Sequence, residues 1–63
     1  MRLNGVDIDD GAETLVDVLD RHVPIRHGIA VAVNGEVIPR SEWAQCQLQK
    51  SDVIEVVTAA AGG

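Results

Sequence analysis

The chain has 63 residues, enough for one domain, and its net charge of −5 at pH 7 argues against a nucleic-acid partner, since phosphate binding needs clustered Lys and Arg. Hydrophobic residues make up 46% of it, but Trp43 is the only aromatic one, so the core must consist of Leu, Val and Ile. No apolar stretch approaches the ~20 residues of a membrane-spanning helix, and we expect neither a membrane segment nor a signal peptide.

The first two predicted elements are a hairpin and a helix. Asn4-Gly5 lies between a short strand over 2–3 and a strand over 6–8, and Asn-Gly favours the type I′ turn, which needs positive φ at both central residues. Thr14 can cap a helix, with Asp17 three residues later as an acidic variant of the capping box. Pro24 disfavours continuation of this helix. The apolar stripe at helical spacing consists of Leu15, Val16, Val18 and Leu19.

A second hairpin and a short helical turn follow. Asn34-Gly35 joins a strand over 29–33 to a strand over 36–38, again with the signature of a type I′ turn. Pro39 limits the second strand because it has no N–H to donate. Residues 41–44, which include Trp43, are expected to form a turn or one short helical turn. We expect Trp43 to fill the edge of the core, although Trp is also enriched among residues that anchor a partner.

The last predicted strand covers 53–58. Its period-two alternation puts Glu55 on one face and points Ile54 and Val56 to the other face, into the core. The element order predicts an α+β domain over 1–58, with one helix on a mixed sheet of four to five strands. Residues 59–63 are expected to form a flexible tail that leaves the sheet directly after this strand.

One face of the sheet is expected to remain uncovered by the helix. Alternation along the strands places Ala30, Ala32 and Val57 on this open face. Small apolar residues that point outward make a flat surface on which a partner can dock. The alternative is that they are ordinary sheet residues with poor cover, since much of any protein surface is apolar.

The tail ends on a pair of glycines that follow Ala61. Gly62 and Gly63 form a thin arm without side chains that can enter a narrow channel, and Gly63 carries an ionised α-carboxylate at neutral pH. Such a carboxylate can attack the α-phosphorus of ATP, and the acyl-adenylate that forms is open to a sulfur or nitrogen nucleophile. We therefore expect residues 61–63 to enter a partner's channel and Gly63 to react there. A merely frayed end is the alternative.

Cysteine and histidine usage points away from a catalytic or metal site. Cys46 is the only cysteine, so no intramolecular disulfide can form, which favours a reducing compartment such as the cytoplasm. It has no neighbouring cation in sequence to activate its thiol, so we interpret it as structural. His22 and His27 lie five residues apart with no further ligand placed to complete a zinc site, and no metal site is predicted.

A set of motifs along the whole chain is typical of one family. AVAVNG at 30–35 is followed by VIPR at 37–40 and by Trp43, and Gly62-Gly63 closes the chain. With the ββαββ order, these motifs resemble the β-grasp, ubiquitin-like proteins, and among them the ThiS family of thiamin-biosynthesis sulfur carriers. Further residues that carry the resemblance are Leu48, Asp52, Ile54 and Glu55.

The resemblance implies a reaction cycle at Gly63. An E1-like adenylating enzyme of the ThiF type would use ATP and Mg to convert the carboxylate to an acyl-adenylate. Sulfur from a persulfide donor protein would displace AMP, and the thiocarboxylate would deliver this sulfur to a thiazole synthase of the ThiG type. The chain would be a protein co-substrate without a permanently bound cofactor, and not an enzyme. Alternatives are the small subunit of molybdopterin synthase, a ubiquitin-like modifier, and an inert β-grasp binding module.

Overall fold

The computed structural model describes residues 1–9, 11–24 and 27–58. These residues form five strands, one α-helix and one 3₁₀ helix. In chain order they are β1 (Arg2–Leu3), β2 (Val6–Asp7), α1 (Leu15–His22), β3 (Ile29–Val33), β4 (Glu36–Val37), the 3₁₀ helix (Arg40–Gln45) and β5 (Val53–Thr58). The predicted succession of hairpin, helix, hairpin, short turn and strand is confirmed, and the short turn is the 3₁₀ helix.

The five strands form one mixed sheet in the order β2-β1-β5-β3-β4. β5 runs parallel to β1 on one side and antiparallel to β3 on the other, so the last strand in sequence is the central strand in space. Strand β5 therefore lies between the two hairpins and pairs with one strand of each. This arrangement fits the predicted mixed sheet.

Both Asn-Gly turns have the predicted backbone. The φ angles are 51° and 83° at Asn4-Gly5 and 52° and 83° at Asn34-Gly35, which are left-handed values that Asn and Gly tolerate. The second strand of each hairpin is one residue shorter than predicted. The Ile38 carbonyl turns out of the sheet and accepts a hydrogen bond from the indole of Trp43, whereas Ile8 still exchanges backbone hydrogen bonds with Met1, the residue before β1.

Helix α1 begins with the predicted capping box. The Asp17 N–H donates to Oγ1 of Thr14, and the Thr14 N–H donates to Oδ2 of Asp17, both at 3.2 Å. The N–H of Glu13 donates to the same carboxylate oxygen. These backbone donors hold the pKa of Asp17 below its ordinary value of 3.8. At the other end, Arg21 and His22 lie in the last turn, as expected for cations near a helix C-terminus.

We predict that this cap makes stability depend on pH in the acid range. The native pKa of Asp17 is lower than its unfolded value, so its contribution is present above about pH 4 and is lost as the pH falls through the native pKa. In urea unfolding, the wild type should exceed Asp17→Asn in stability near neutral pH, and the difference should shrink towards roughly pH 2.5. A difference that stays constant across this range would contradict the role of the carboxylate.

The core lies between α1 and one face of the sheet. Leu15, Val18 and Leu19 of the helix are fully buried and share a cluster with Val31 of β3 and Ile54 of β5. Each fully buried aliphatic side chain of this kind contributes about 1.5–3 kcal/mol relative to an exposed one. The predicted apolar stripe and the inward direction of Ile54 are confirmed. In the described part of the chain, no helix combines the length and apolar character needed to cross a bilayer.

Trp43 closes the edge of this core. Its side chain is buried, and its indole N–H donates to the carbonyl of Ile38 at 2.8 Å, so the ring is packed and its polar atom is paired. The guanidinium of Arg40 lies 5.2 Å from the ring centroid, within the range of a cation–π contact. The interpretation of Trp43 as a core-edge residue is confirmed.

Candidate docking face and the strand before the terminus

The face of the sheet opposite α1 is formed by residues that pair across the strands. Cross-strand partners share a face, and Ala30 lies opposite Val57, while Ala32 lies opposite Glu55 on one side and Val37 on the other. The predicted placement of Ala30, Ala32 and Val57 on one face agrees with this register. The register thus brings the three predicted docking residues together on two adjacent strands.

Two further apolar residues belong to this surface. Val37 on β4 and Val53 on β5 are 68% and 40% exposed, and Val57 is 58% exposed. Sequence reasoning missed Val37 and Val53, although the same alternation places Val53 two residues before Glu55 and the hairpin register places Val37 beside Ala32. We call the following five residues the open-face patch: Ala30, Ala32, Val37, Val53 and Val57.

Three charged side chains share the face with this patch. Glu55 lies between Val53 and Val57 on β5. Arg2 on β1 lies opposite Val53 and forms an ion pair with Asp7 of β2, with 3.1 Å between Nε and Oδ1. The patch therefore has one carboxylate within it and one ion pair at its β1–β2 margin.

Strand β5 is held from both sides by the turn asparagines. Where β1 ends, the Val56 N–H donates to Oδ1 of Asn4 at 2.8 Å, and where β3 ends, the Val53 N–H donates to Oδ1 of Asn34 at 2.9 Å. Each side chain thus supplies an acceptor where a neighbouring strand has turned away. These two contacts fix the strand that precedes residues 59–63, and sequence reasoning did not find them.

Asp52 anchors the start of β5. It is only 8% exposed, and Oδ1 accepts a hydrogen bond from Nδ2 of Asn34 at 2.9 Å while Oδ2 accepts one from the N–H of Gln49 at 2.7 Å. A buried carboxylate needs such donors, because burial of an unpaired charge is costly. The Asn34 side chain therefore accepts a hydrogen bond from β5 and donates one to the buried Asp52 carboxylate.

Cys46 is partly buried at the end of the 3₁₀ helix. Burial raises the pKa of its thiol, and the negative charges of Asp52, Glu42 and Glu36 raise it further. A thiol with a raised pKa is protonated at neutral pH, which fits the structural interpretation of this cysteine. Among residues 1–9, 11–24 and 27–58, no three His, Cys, Asp or Glu side chains are placed to hold a metal ion.

The predicted reacting residue and its tail lie outside the described residues. This applies to Ala61, Gly62 and Gly63. The described residue nearest to them in sequence is Thr58, which ends β5 and pairs with Ile29 of β3. The open-face patch and the tail are thus linked through a single strand, since Val53 and Val57 lie on β5.

Comparisons with known proteins identify the family. The ThiS family model matches residues 2–63. The sulfur carrier protein ThiS of Escherichia coli K12 is 33% identical over 51 residues, which cover 81% of this chain and 77% of that protein. The crystal structure of the thiamine biosynthesis protein ThiS from Geobacter metallireducens superposes with a TM-score of 0.82 at 27% identity, covering 98% of this chain and 96% of the other.

A solution structure of a thiamine biosynthesis protein from Geobacter metallireducens gives the same result. Its TM-score is 0.72 at 25% identity, with 98% of this chain and 85% of the other covered. These matches confirm the β-grasp prediction for a mixed five-stranded sheet with one main helix. The chain belongs to the ThiS family.

Proposed function

We propose that this chain carries sulfur as a thiocarboxylate on Gly63. As a member of the ThiS family, it is a small sulfur carrier protein of thiamine biosynthesis and not itself an enzyme. The observation that carries the assignment to Gly63 is that the family match runs through residue 63 and so includes the Gly62-Gly63 pair. A glycine pair leaves the carboxylate without neighbouring side chains, which suits entry into a narrow active site.

The proposed chemistry starts with activation of a poor electrophile. A carboxylate oxygen of Gly63 attacks the α-phosphorus of ATP, and pyrophosphate leaves. The outer sulfur of a persulfide donor then attacks the carbonyl carbon of the acyl-adenylate, and AMP leaves with the oxygen that joined it to the chain. A thiol then attacks the donor's sulfur in the acyl disulfide that results, so a disulfide forms with the donor and the Gly63 thiocarboxylate is released. An E1-like adenylating enzyme of the ThiF type would supply ATP, Mg and the catalytic groups. The thiocarboxylate would pass its sulfur to a thiazole synthase of the ThiG type, most simply in the cytoplasm.

The open-face patch supports a docking role for the folded body. Three exposed valines and two partly buried alanines lie on one face of the sheet, and apolar side chains are enriched in the buried centre of protein interfaces. Docking of the patch makes the reaction at Gly63 effectively intramolecular, which can contribute roughly 7–11 kcal/mol to lowering the barrier. Val53 and Val57 of the patch lie on β5, and residues 59–63 follow this strand directly in sequence, which supports a partner that contacts both.

The experiment that tests this function is intact mass spectrometry. We expect incubation with the cognate adenylating enzyme, Mg-ATP, a persulfide donor and a thiol to add about 16 Da, as one oxygen is replaced by sulfur. Omission of ATP should leave the mass unchanged. Unmodified chain under complete conditions would contradict sulfur carriage, and a ladder of higher-mass lysine conjugates would indicate a modifier instead.

A further inference from the structure

One charged side chain lies within the otherwise apolar part of the open face. Glu55 has Val53 and Val57 two residues away on either side along β5, and Ala32 lies opposite it on β3, with Val37 beyond. All of these side chains point to the same face. A partner that covers the open-face patch therefore also covers the Glu55 carboxylate.

Within residues 1–9, 11–24 and 27–58, no cation neutralises this carboxylate. Glu55 is exposed, and neither an ion pair nor a side-chain hydrogen bond joins it to any other residue that the structure describes. Arg2 is the one Lys or Arg in strands β1–β5, and its guanidinium binds Asp7 instead. The carboxylate of Glu55 is thus left to solvent while the face is uncovered.

Covering the patch would remove that solvent. An ionised carboxylate that loses its water without gaining a partner is strongly destabilising, so a surface that buries it must supply hydrogen-bond donors, and a cationic donor also offsets the charge. We propose that Glu55 forms an ion pair with an Arg or Lys side chain of the adenylating enzyme, set among apolar residues that contact the open-face patch. This inference rests on the proposed function and names the chemistry of the partner surface.

A second copy of the chain is a poorer occupant of the same face. In a symmetric dimer the same patch meets itself, so two Glu55 carboxylates would approach each other near the axis. The chain also carries a net charge of −5, which opposes self-association in general. Charge complementarity therefore favours a basic partner surface.

The test compares charge variants in steady-state thiocarboxylation with the cognate adenylating enzyme. We expect Glu55→Gln to raise the KM for the carrier and Glu55→Arg to raise it by at least about tenfold, with kcat close to that of the wild type. Glu42→Arg is the matched control because it makes the same change of charge at a different place. Glu42 lies on the 3₁₀ helix, which packs against α1 and lies outside the open face. This control should leave KM within about twofold.

The dependence of KM on ionic strength provides a second readout, and a purely structural role of Glu55 would not alter it. The KM of the wild type should rise with ionic strength more steeply than that of Glu55→Gln, because one screened charge pair is missing in the variant. Urea midpoints of both Glu55 variants should match the wild type, which separates binding from folding.

Two outcomes would overturn the ion pair, and both differ from failure of the proposed function. If the wild type gains sulfur but Glu55→Arg has the same KM, the partner supplies no cation at this position. If Glu42→Arg raises KM as much as Glu55→Arg, only the overall charge matters. Absence of sulfur transfer to the wild type would instead count against the carrier function itself.

Discussion

Removal of Gly63 is expected to abolish thiocarboxylation and to leave the stability of the folded body within about 0.5 kcal/mol of the wild type. The shortened chain still ends on a glycine carboxylate, that of Gly62, so the loss would not come from missing chemistry. It would come from the shorter tail, because one extended residue spans about 3.3–3.6 Å and the carboxylate would stop short of the reaction site by about this distance. A displacement of about 1 Å can already cost roughly 100-fold in rate when a reacting group is positioned by docking.

The folded body should tolerate this deletion because its core is built elsewhere. The buried cluster extends in sequence from Ala12 to Ile54, and β5 ends at Thr58. Circular dichroism and urea unfolding should therefore superpose on those of the wild type. A deletion variant that unfolds would show that the terminus and the body are not separable.

A variant with the original tail length distinguishes the effect of tail length from the effect of which residues form the tail. Insertion of one Ala among residues 59–61 of the Gly63 deletion gives a tail of the original length that again ends on glycine. Intact mass spectrometry should show the sulfur adduct of about 16 Da returning at least in part. Full modification of the deletion variant without this insertion would contradict a docked body that presents its terminus at a fixed distance.

Local features of the fold were predictable because a few adjacent residues determine them. Each Asn-Gly pair sets its own turn, since few other residues accept positive φ at two successive positions. The capping box at Thr14 needs only a side chain three residues away. Alternation along β3 and β5 was sufficient to place Ala30, Ala32 and Val57 on one face.

Contacts between distant residues were not predictable in the same way. The bond from the Val56 N–H to Oδ1 of Asn4 joins residues 52 apart in sequence, and it forms because β5 inserts between the two hairpins. Burial of Asp52 depends likewise on Asn34, which lies 18 residues earlier. No period or motif in the chain predicts the order of the strands. The hydrogen bonds that the Asn4 and Asn34 side chains make outside their own turns were therefore not predictable from the sequence.

Asn34→Asp is expected to be the most destabilising of the single substitutions considered, by about 3 kcal/mol. The change keeps the shape of the side chain and an acceptor for the Val53 N–H, but it removes the amide donor and sets a second carboxylate about 2.9 Å from Oδ1 of buried Asp52. A domain of this size has a total stability of roughly 3–9 kcal/mol, so this loss would be a large share of it.

Asn4→Asp is the matched control at the equivalent position of the other hairpin. Asn4 contributes only its Oδ1, which accepts from the Val56 N–H, and Asp preserves that acceptor. We therefore expect a change below about 0.5 kcal/mol. Asn34→Gly should fall between the two, at about 1–2 kcal/mol, because glycine keeps the positive φ and introduces no charge while the hydrogen bonds are lost.

Urea unfolding of the three variants at neutral pH measures these differences. Equal losses for Asn34→Asp and Asn4→Asp would show that the contact with Asp52 does not matter. The ordering predicted here follows from one geometric fact: only the second hairpin places its turn asparagine against a buried acid at the start of the central strand.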